Sequence, residues 1–243
     1  MTCGYRNRIY DMYLDARDRP LGPATLADLQ GQAPYIQRLI REHFPPGREA
    51  TILDLGCGYG AIIHFARERG YRNIKGVDRS PQQVRAAKTL GIEGVDQADV
   101  MDALAGEPDA SLECVISFDL IEHFSRDELI PFVDEVLRVL RPGGRWIVHT
   151  VNAESPFGMR IRYGDLTHEL AFTRTSVAQV LFSSGFSQVN SYEDQPVVHG
   201  LKSLARWVLW KWFRALLRVY LVSETGDIGN ALLSQNFLVI AVK

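Results

Sequence analysis

Short apolar runs alternate along most of this chain with longer stretches in which apolar residues recur every three or four positions. Residues 34–44 (PYIQRLIREHF) put Ile36, Leu39, Ile40 and Phe44 on one side of a helix, and Pro45, Pro46 and Gly47 stop it. TILDL at 51–55 then reads as a strand, 61–69 as a helix closed by Gly70, IKGVD at 74–78 as a strand and 81–90 as a helix closed by Gly91. A short strand around Val95 leads to Asp99. LECVISFD is a strand, 127–140 a helix, 141–144 a turn and RWIVHTV a strand. After a polar loop come a helix over 176–184, a strand over 188–192 and a last strand over 236–242. The alternation predicts an α/β fold with a mostly parallel, doubly wound sheet, whose ligands bind at the carboxyl ends of the strands. Residues 1–32 read as an N-terminal arm, with Ile9, Met12 and Tyr13 on one face of a short helix before Pro20 and Pro23 break the chain.

The sharpest chemical signal is Asp54-Leu55-Gly56-Cys57-Gly58-Tyr59-Gly60, between an apolar strand and a helix. Glycines let a backbone turn tightly and approach a ligand closely. Gly56, Gly58 and Ala61 also satisfy the dinucleotide pattern of a dehydrogenase. Against that reading stand Asp54 two positions before the first glycine, Gly60 four positions after it, and the acids Asp78 and Asp99 at the ends of the next two strands. Cys57 reads as a small packing residue within the loop rather than a reactive thiol.

ILDLGCGYG resembles the first motif of class I S-adenosylmethionine-dependent methyltransferases. SFDLIEHF resembles the motif after their fourth strand, and LRVLRPGGRWIV their turn into the fifth. The resemblance covers about residues 33–192. It implies a Rossmann-like seven-stranded sheet with an antiparallel last strand. S-adenosyl-L-methionine would be the cofactor, held by Asp54, Gly56, Cys57, Gly58, Gly60, Asp78, Arg79, Asp99, Val100 and Phe118. Asp78 would accept both ribose hydroxyls, and Asp99 the adenine amino group with Val100 supplying an amide. Residues 33–243 would be the methyltransferase domain, with an acceptor loop over 153–175 and a helical insertion over 195–230.

Catalytic candidates gather where strands end: Asp119, Glu122 and His123 after strand four, His149, Thr150 and Asn152 at the end of strand five, and Asp165, His168 and Glu169 in the loop YGDLTHELAFT. A neutral hydroxyl acceptor needs a base, and imidazole titrates near neutrality, so His123 is the first choice and His168 its rival. Packing or helix capping is the plain alternative for either. Asp119, Glu122 and His123 also resemble a metal cluster of ubiquinone-biosynthesis O-methyltransferases, but such endings are widespread in metal-free enzymes, and no metal is expected. Residues 152–186 resemble bacterial methyltransferases associated with polysaccharide and lipopolysaccharide biosynthesis. That implies O-methylation of a glycan hydroxyl, in a polar pocket with Asn152, Arg160, Arg162, Tyr163, Asp165 and His168. A quinone or other small-molecule acceptor is the second reading, and a cofactor-binding scaffold without turnover a third.

The 243 residues suffice for one large domain. A net charge of −2 gives no global pull toward nucleic acid. Cys3, Cys57 and Cys114 form neither a disulfide framework nor a metal knuckle, which points to a reducing cytoplasm. No signal peptide or membrane span is legible. Residues 195–223, however, lack acids and carry Lys202, Arg206, Lys211, Arg214 and Arg218 with Trp207, Trp210 and Trp212. On a helical wheel the cations share one half and Leu204, Val208, Trp212, Ala215, Leu216 and Val219 the other. The segment suits a lid over the acceptor, a homodimer contact or, over 201–222, peripheral contact with the inner face of a membrane.

Overall fold

The computed structural model describes Arg6, Ile9 and residues 23–226, 229 and 231–243. Met12, Tyr13 and Pro20 lie outside the described residues. A 3-10 turn over Leu26–Gly31 precedes α1 (Ala33–His43). There follow β1 (Ile52–Leu55), α2 (Ala61–Glu68), β2 (Ile74–Asp78), α3 (Pro81–Thr89), β3 (Val95–Gln97), α4 (Val100–Ala105) and β4 (Leu112–Phe118). After a 3-10 turn over Ile121–His123 come α5 (Arg126–Val139), β5 (Leu140–Val151), α6 (Gly158–Arg162), α7 (Arg174–Ser184), β6 (Gln188–Glu193), α8 (Leu201–Thr225) and β7 (Asn236–Val242).

The sheet runs in the order β3-β2-β1-β4-β5-β7-β6. Only β7 is antiparallel to its neighbours. β1 is buried at every position, as a central parallel strand covered on both faces must be. α1, α2 and α3 pack on one face around Ile36, Ile63, Phe65 and Ile74. α4, α5 and α7 pack on the other around Phe132, Val136, Trp146 and Phe237. Strand order reverses between β1 and β4, and the crevice at their carboxyl ends is where such a sheet takes a ligand.

Residues 141–144 do not form a separate turn. Leu140 already pairs with Leu112, and Gly144 accepts from Lys243, so β5 begins there and carries an irregularity opposite Leu112 and Cys114. Gly143, at φ 76°, absorbs the bend. Among the described residues, no helix is long and apolar enough to cross a membrane.

Candidate active site

The loop between β1 and α2 turns through three glycines with positive φ, Gly56 at 71°, Gly58 at 56° and Gly60 at 81°. Gly60 is the most crowded of the three: a Cβ there would lie 2.8 Å from Val95 and 2.9 Å from Ile92. Asp78, at the end of β2, accepts from the Gly58 amide and the Ser80 amide, both at 2.8 Å, one on each carboxylate oxygen. Burial pushes its carboxyl up, against those two amides. Beneath the loop Asp54 is buried, and neither of its oxygens meets a protein donor. Burial, reinforced by the charge of Asp78, holds its carboxyl well above the usual range. A cavity of about 630 Å³ opens over these residues; Gly56, Gly58, Asp78, Arg79, Asp99, Val100 and Met101 line one part, and Asp119, Leu120, His123 and Phe124 another.

Asp99 does two things, since it caps α4 through the Met101 amide at 2.9 Å while lining the cavity. Cys57 packs against Gly76, and burial pushes its thiol up, so it is a packing residue. Phe118, expected at the cofactor, stacks on His149 at 4.3 Å between ring centroids.

On the acceptor side Asp119 occupies the left-handed region at φ 50°, conformational strain of the kind that surrounding structure must enforce. Its carboxylate meets His149 Nδ1 at 2.6 Å. His149 Nε2 meets Asp194 at 2.6 Å, and the Tyr35 hydroxyl donates to the other Asp194 oxygen at 2.6 Å. Burial alone would lower the His149 pKa, but two flanking carboxylates raise it well above its ordinary value. The imidazolium in turn offsets the enclosure of Asp119 and leaves that carboxyl below its usual range.

His123 Nδ1 lies 2.9 Å from the Thr167 hydroxyl, which donates to Asp165 at 2.6 Å. A carboxylate accepts only, so the single hydroxyl proton of Thr167 goes to Asp165 and Nδ1 of His123 must donate. The proton-accepting lone pair of His123 is therefore on Nε2. Burial, with the neighbouring His168, lowers its pKa to about 4 and keeps the ring neutral. His168 donates Nδ1 to the Ile161 carbonyl at 3.0 Å and meets the His123 ring edge-on at 4.6 Å. Glu122 departs from its expected catalytic place. It is fully buried beneath the cavity, accepts from Thr150 at 2.9 Å, and is raised to about 8 by burial and by Asp119. Among the described residues, no group of three or more His, Cys, Asp or Glu is arranged to hold a metal ion.

Residues 52–144 match the family model described as a methyltransferase domain. Residues 52–144 thus form a methyltransferase domain. Over 140 residues it is 31% identical to norajmaline N-methyltransferase of Rauvolfia serpentina, covering 52% of this chain and 47% of that one. Over 123 residues it is 32% identical to the ubiquinone biosynthesis O-methyltransferase of Xylella fastidiosa strain 9a5c, covering 49% and 46%. The chain thus spans about half the length of the curated relatives it matches. A solved S-adenosylmethionine-dependent methyltransferase from Archaeoglobus fulgidus shares the fold, with a TM-score of 0.65 at 18% identity over 89% of this chain and 96% of that one. The cradle in this methyltransferase domain fits the cofactor: Asp54 holds buried acceptor oxygens under the glycine loop, and Asp78 and Asp99 stand along one wall of the cavity.

Outside the matched span, Asn152 is not a pocket residue. It is buried and donates to the Leu232 and Ser234 carbonyls, tying β5 to the segment before β7. Tyr35, Thr167 and Asp194 escaped the sequence reading. Thr167 had a local signal, since its amide also donates to Asp165 two positions earlier in a turn that aspartate favours. Tyr35 had none, because its partner lies 159 residues away.

Proposed function

We propose that the chain transfers the methyl group of S-adenosylmethionine to a hydroxyl oxygen, and that the acceptor is a sugar hydroxyl of a glycan. The observation that carries this reading is the chain of contacts from Asp165 through Thr167 to His123, which leaves a neutral imidazole at the wall of the cavity with its basic nitrogen on Nε2. Bound in the cradle, S-adenosylmethionine supplies an electrophilic methyl on a sulfonium. Asp78 would hold the ribose hydroxyls, since each of its oxygens has a second lone pair beyond the amide it already accepts. Asp99 and Val100 would hold the adenine, and Asp54 with the glycine loop the amino-acid end. As the acceptor oxygen gains the methyl, its proton passes to His123 Nε2, and Asp165 and Asp119 stabilise the imidazolium that forms. Arg160, Tyr163 and Asp165 of the loop after β5 offer a sugar its hydrogen-bonding partners.

A phenolic acceptor such as a hydroquinone is the second reading. The apolar lining by Leu120, Phe124, Met101 and Pro131 favours it, as does the likeness to a ubiquinone-biosynthesis enzyme. Incubation with methyl-labelled S-adenosylmethionine, a glycan extract and a panel of hydroquinones separates the two. Label in the glycan supports the first and label in the phenol replaces it. Cofactor binding with no label in either leaves a scaffold.

A further inference from the structure

The methyl-transfer reading leaves α8 without a role. The structure decides which way its two halves face. Ser203, Trp207, Trp210, Arg214, Leu217, Arg218, Leu221 and Val222, its buried or half-buried positions, fall on one side at about 3.6 residues per turn. Arg214 on that side pairs with Glu193, the last residue of β6. The opposite side is apolar and open to solvent: Val208 is 52% exposed, Trp212 61%, Leu216 49% and Val219 63%. The side carrying Arg214 and Arg218 is thus turned toward the body and the apolar half outward, while Lys202, Arg206 and Lys211 stay exposed between them. Lys202 and Arg206 border the outward stripe on one side and Lys211 on the other, all three exposed.

We propose that this face of α8 lies in the interface of an anionic lipid bilayer. The apolar stripe would sink to the acyl boundary while the cations on both rims reach lipid phosphates on their flexible stems. A second copy of the chain is the rival occupant. A twofold contact through the stripe would set the cationic rims of one helix beside those of the other, and residues 195–223 contain no acid to neutralise them. Anionic headgroups complement these three exposed cations. β6 runs parallel to the central strands, so Glu193 and Arg214 mark the carboxyl edge of the sheet, the edge that also carries the cavity. At that edge the loop after β5 exposes Phe157, Tyr163 and Leu166. Docking would bring the cavity's edge to the lipid, the place for a lipid-linked acceptor; that last consequence rests on the proposed O-methylation, and the docking itself does not.

Sedimentation of the full chain with phosphatidylglycerol-containing vesicles, against vesicles of phosphatidylcholine alone, tests this. Binding should be about tenfold or more stronger to the anionic vesicles, fall with added salt, and shift tryptophan emission to the blue. The double variant Trp212→Glu and Val219→Glu should lose that binding yet keep S-adenosylhomocysteine affinity, which reports its fold. Equal or absent binding of the wild type to the two vesicle types overturns the proposal, even if the variant fails to fold. Undiminished vesicle binding by a folded variant overturns it too. So does a wild-type dimer in light scattering that the variant turns to monomer without any vesicle binding, since a second copy then covers the face.

Discussion

Asp78 and His123 are two residues whose environments assign them separate tasks. Asp78 already organises the glycine loop through the Gly58 amide, so its loss acts on the cofactor. Asp78→Ala should weaken S-adenosylhomocysteine binding at least tenfold in calorimetry, as charge-assisted hydrogen bonds contribute about 1.5–3 kcal/mol. His123 instead meets Thr167 and His168 of the acceptor loop and faces the acceptor side. His123→Ala should therefore leave that affinity nearly intact and cut turnover by roughly a hundredfold, while His168→Ala costs less. If the His168 variant is the dead one, the base sits on the loop instead. Glu122 offers a test of stability. Its pKa rises from 4.5 to about 8, so the folded protein keeps a proton that the unfolded chain releases near pH 4.5. The stability contributed by that proton is fully present below about pH 4.5 and is lost as pH rises through about 8. Melting temperature followed between those limits should fall in the wild type and fall less in Glu122→Gln, which accepts from Thr150 and cannot ionise.

At the scale of elements, the turn from β1 into α2 is the part that tolerates least. Gly60 caps α2 from the left-handed region, and a methyl group there meets Val95 and Ile92, the side chains that seat β3. Gly60→Ala adds a left-handed penalty of about 1–2 kcal/mol to overpacking of about 1–3 kcal/mol. It should lower the melting temperature and the cofactor affinity together, whereas Asp78→Ala affects chiefly the second. The acceptor loop is built differently. Its ends are tied by backbone bonds, with Glu169 and Leu170 both donating to the Glu122 carbonyl and Ala153 donating to Phe172. Arg6 of the N-terminal arm reaches Glu169 of this loop at 3.3 Å and Glu128 of α5 at 2.7 Å, drawing both to the rim of the cavity.

For the molecule as a whole, a ligand that binds only the folded state raises stability by mass action. S-adenosylhomocysteine at a hundredfold its dissociation constant should add about 2.7 kcal/mol. For a chain of this size that is a rise of roughly 5–10 °C in melting temperature. NAD should leave the midpoint unchanged; a comparable rise with NAD would restore the dehydrogenase reading of Gly56, Gly58 and Ala61.

The order of elements and the cofactor cradle were legible because both are local. Strand and helix periods repeat over a few residues, and the loop from Asp54 to Gly60 with Asp78 behind it is read from two adjacent strands. The antiparallel last strand came with the family resemblance, not with periodicity, and the pairing of β7 between β5 and β6 bears it out. Only the tertiary structure decided which titratable groups share an environment. The chain Asp119–His149–Asp194–Tyr35 joins the ends of β4, β5 and β6 to α1, and the depth of Glu122 depends on what packs above it. Tertiary structure also set which half of α8 faces out. A helical wheel separates the cations from the apolar residues, but which of the cations faces the body is set by Glu193, which sits at the end of a strand and receives Arg214. Spacing along the chain fixes the angle between two side chains on one helix; the direction either points in depends on a partner that the same spacing does not contain.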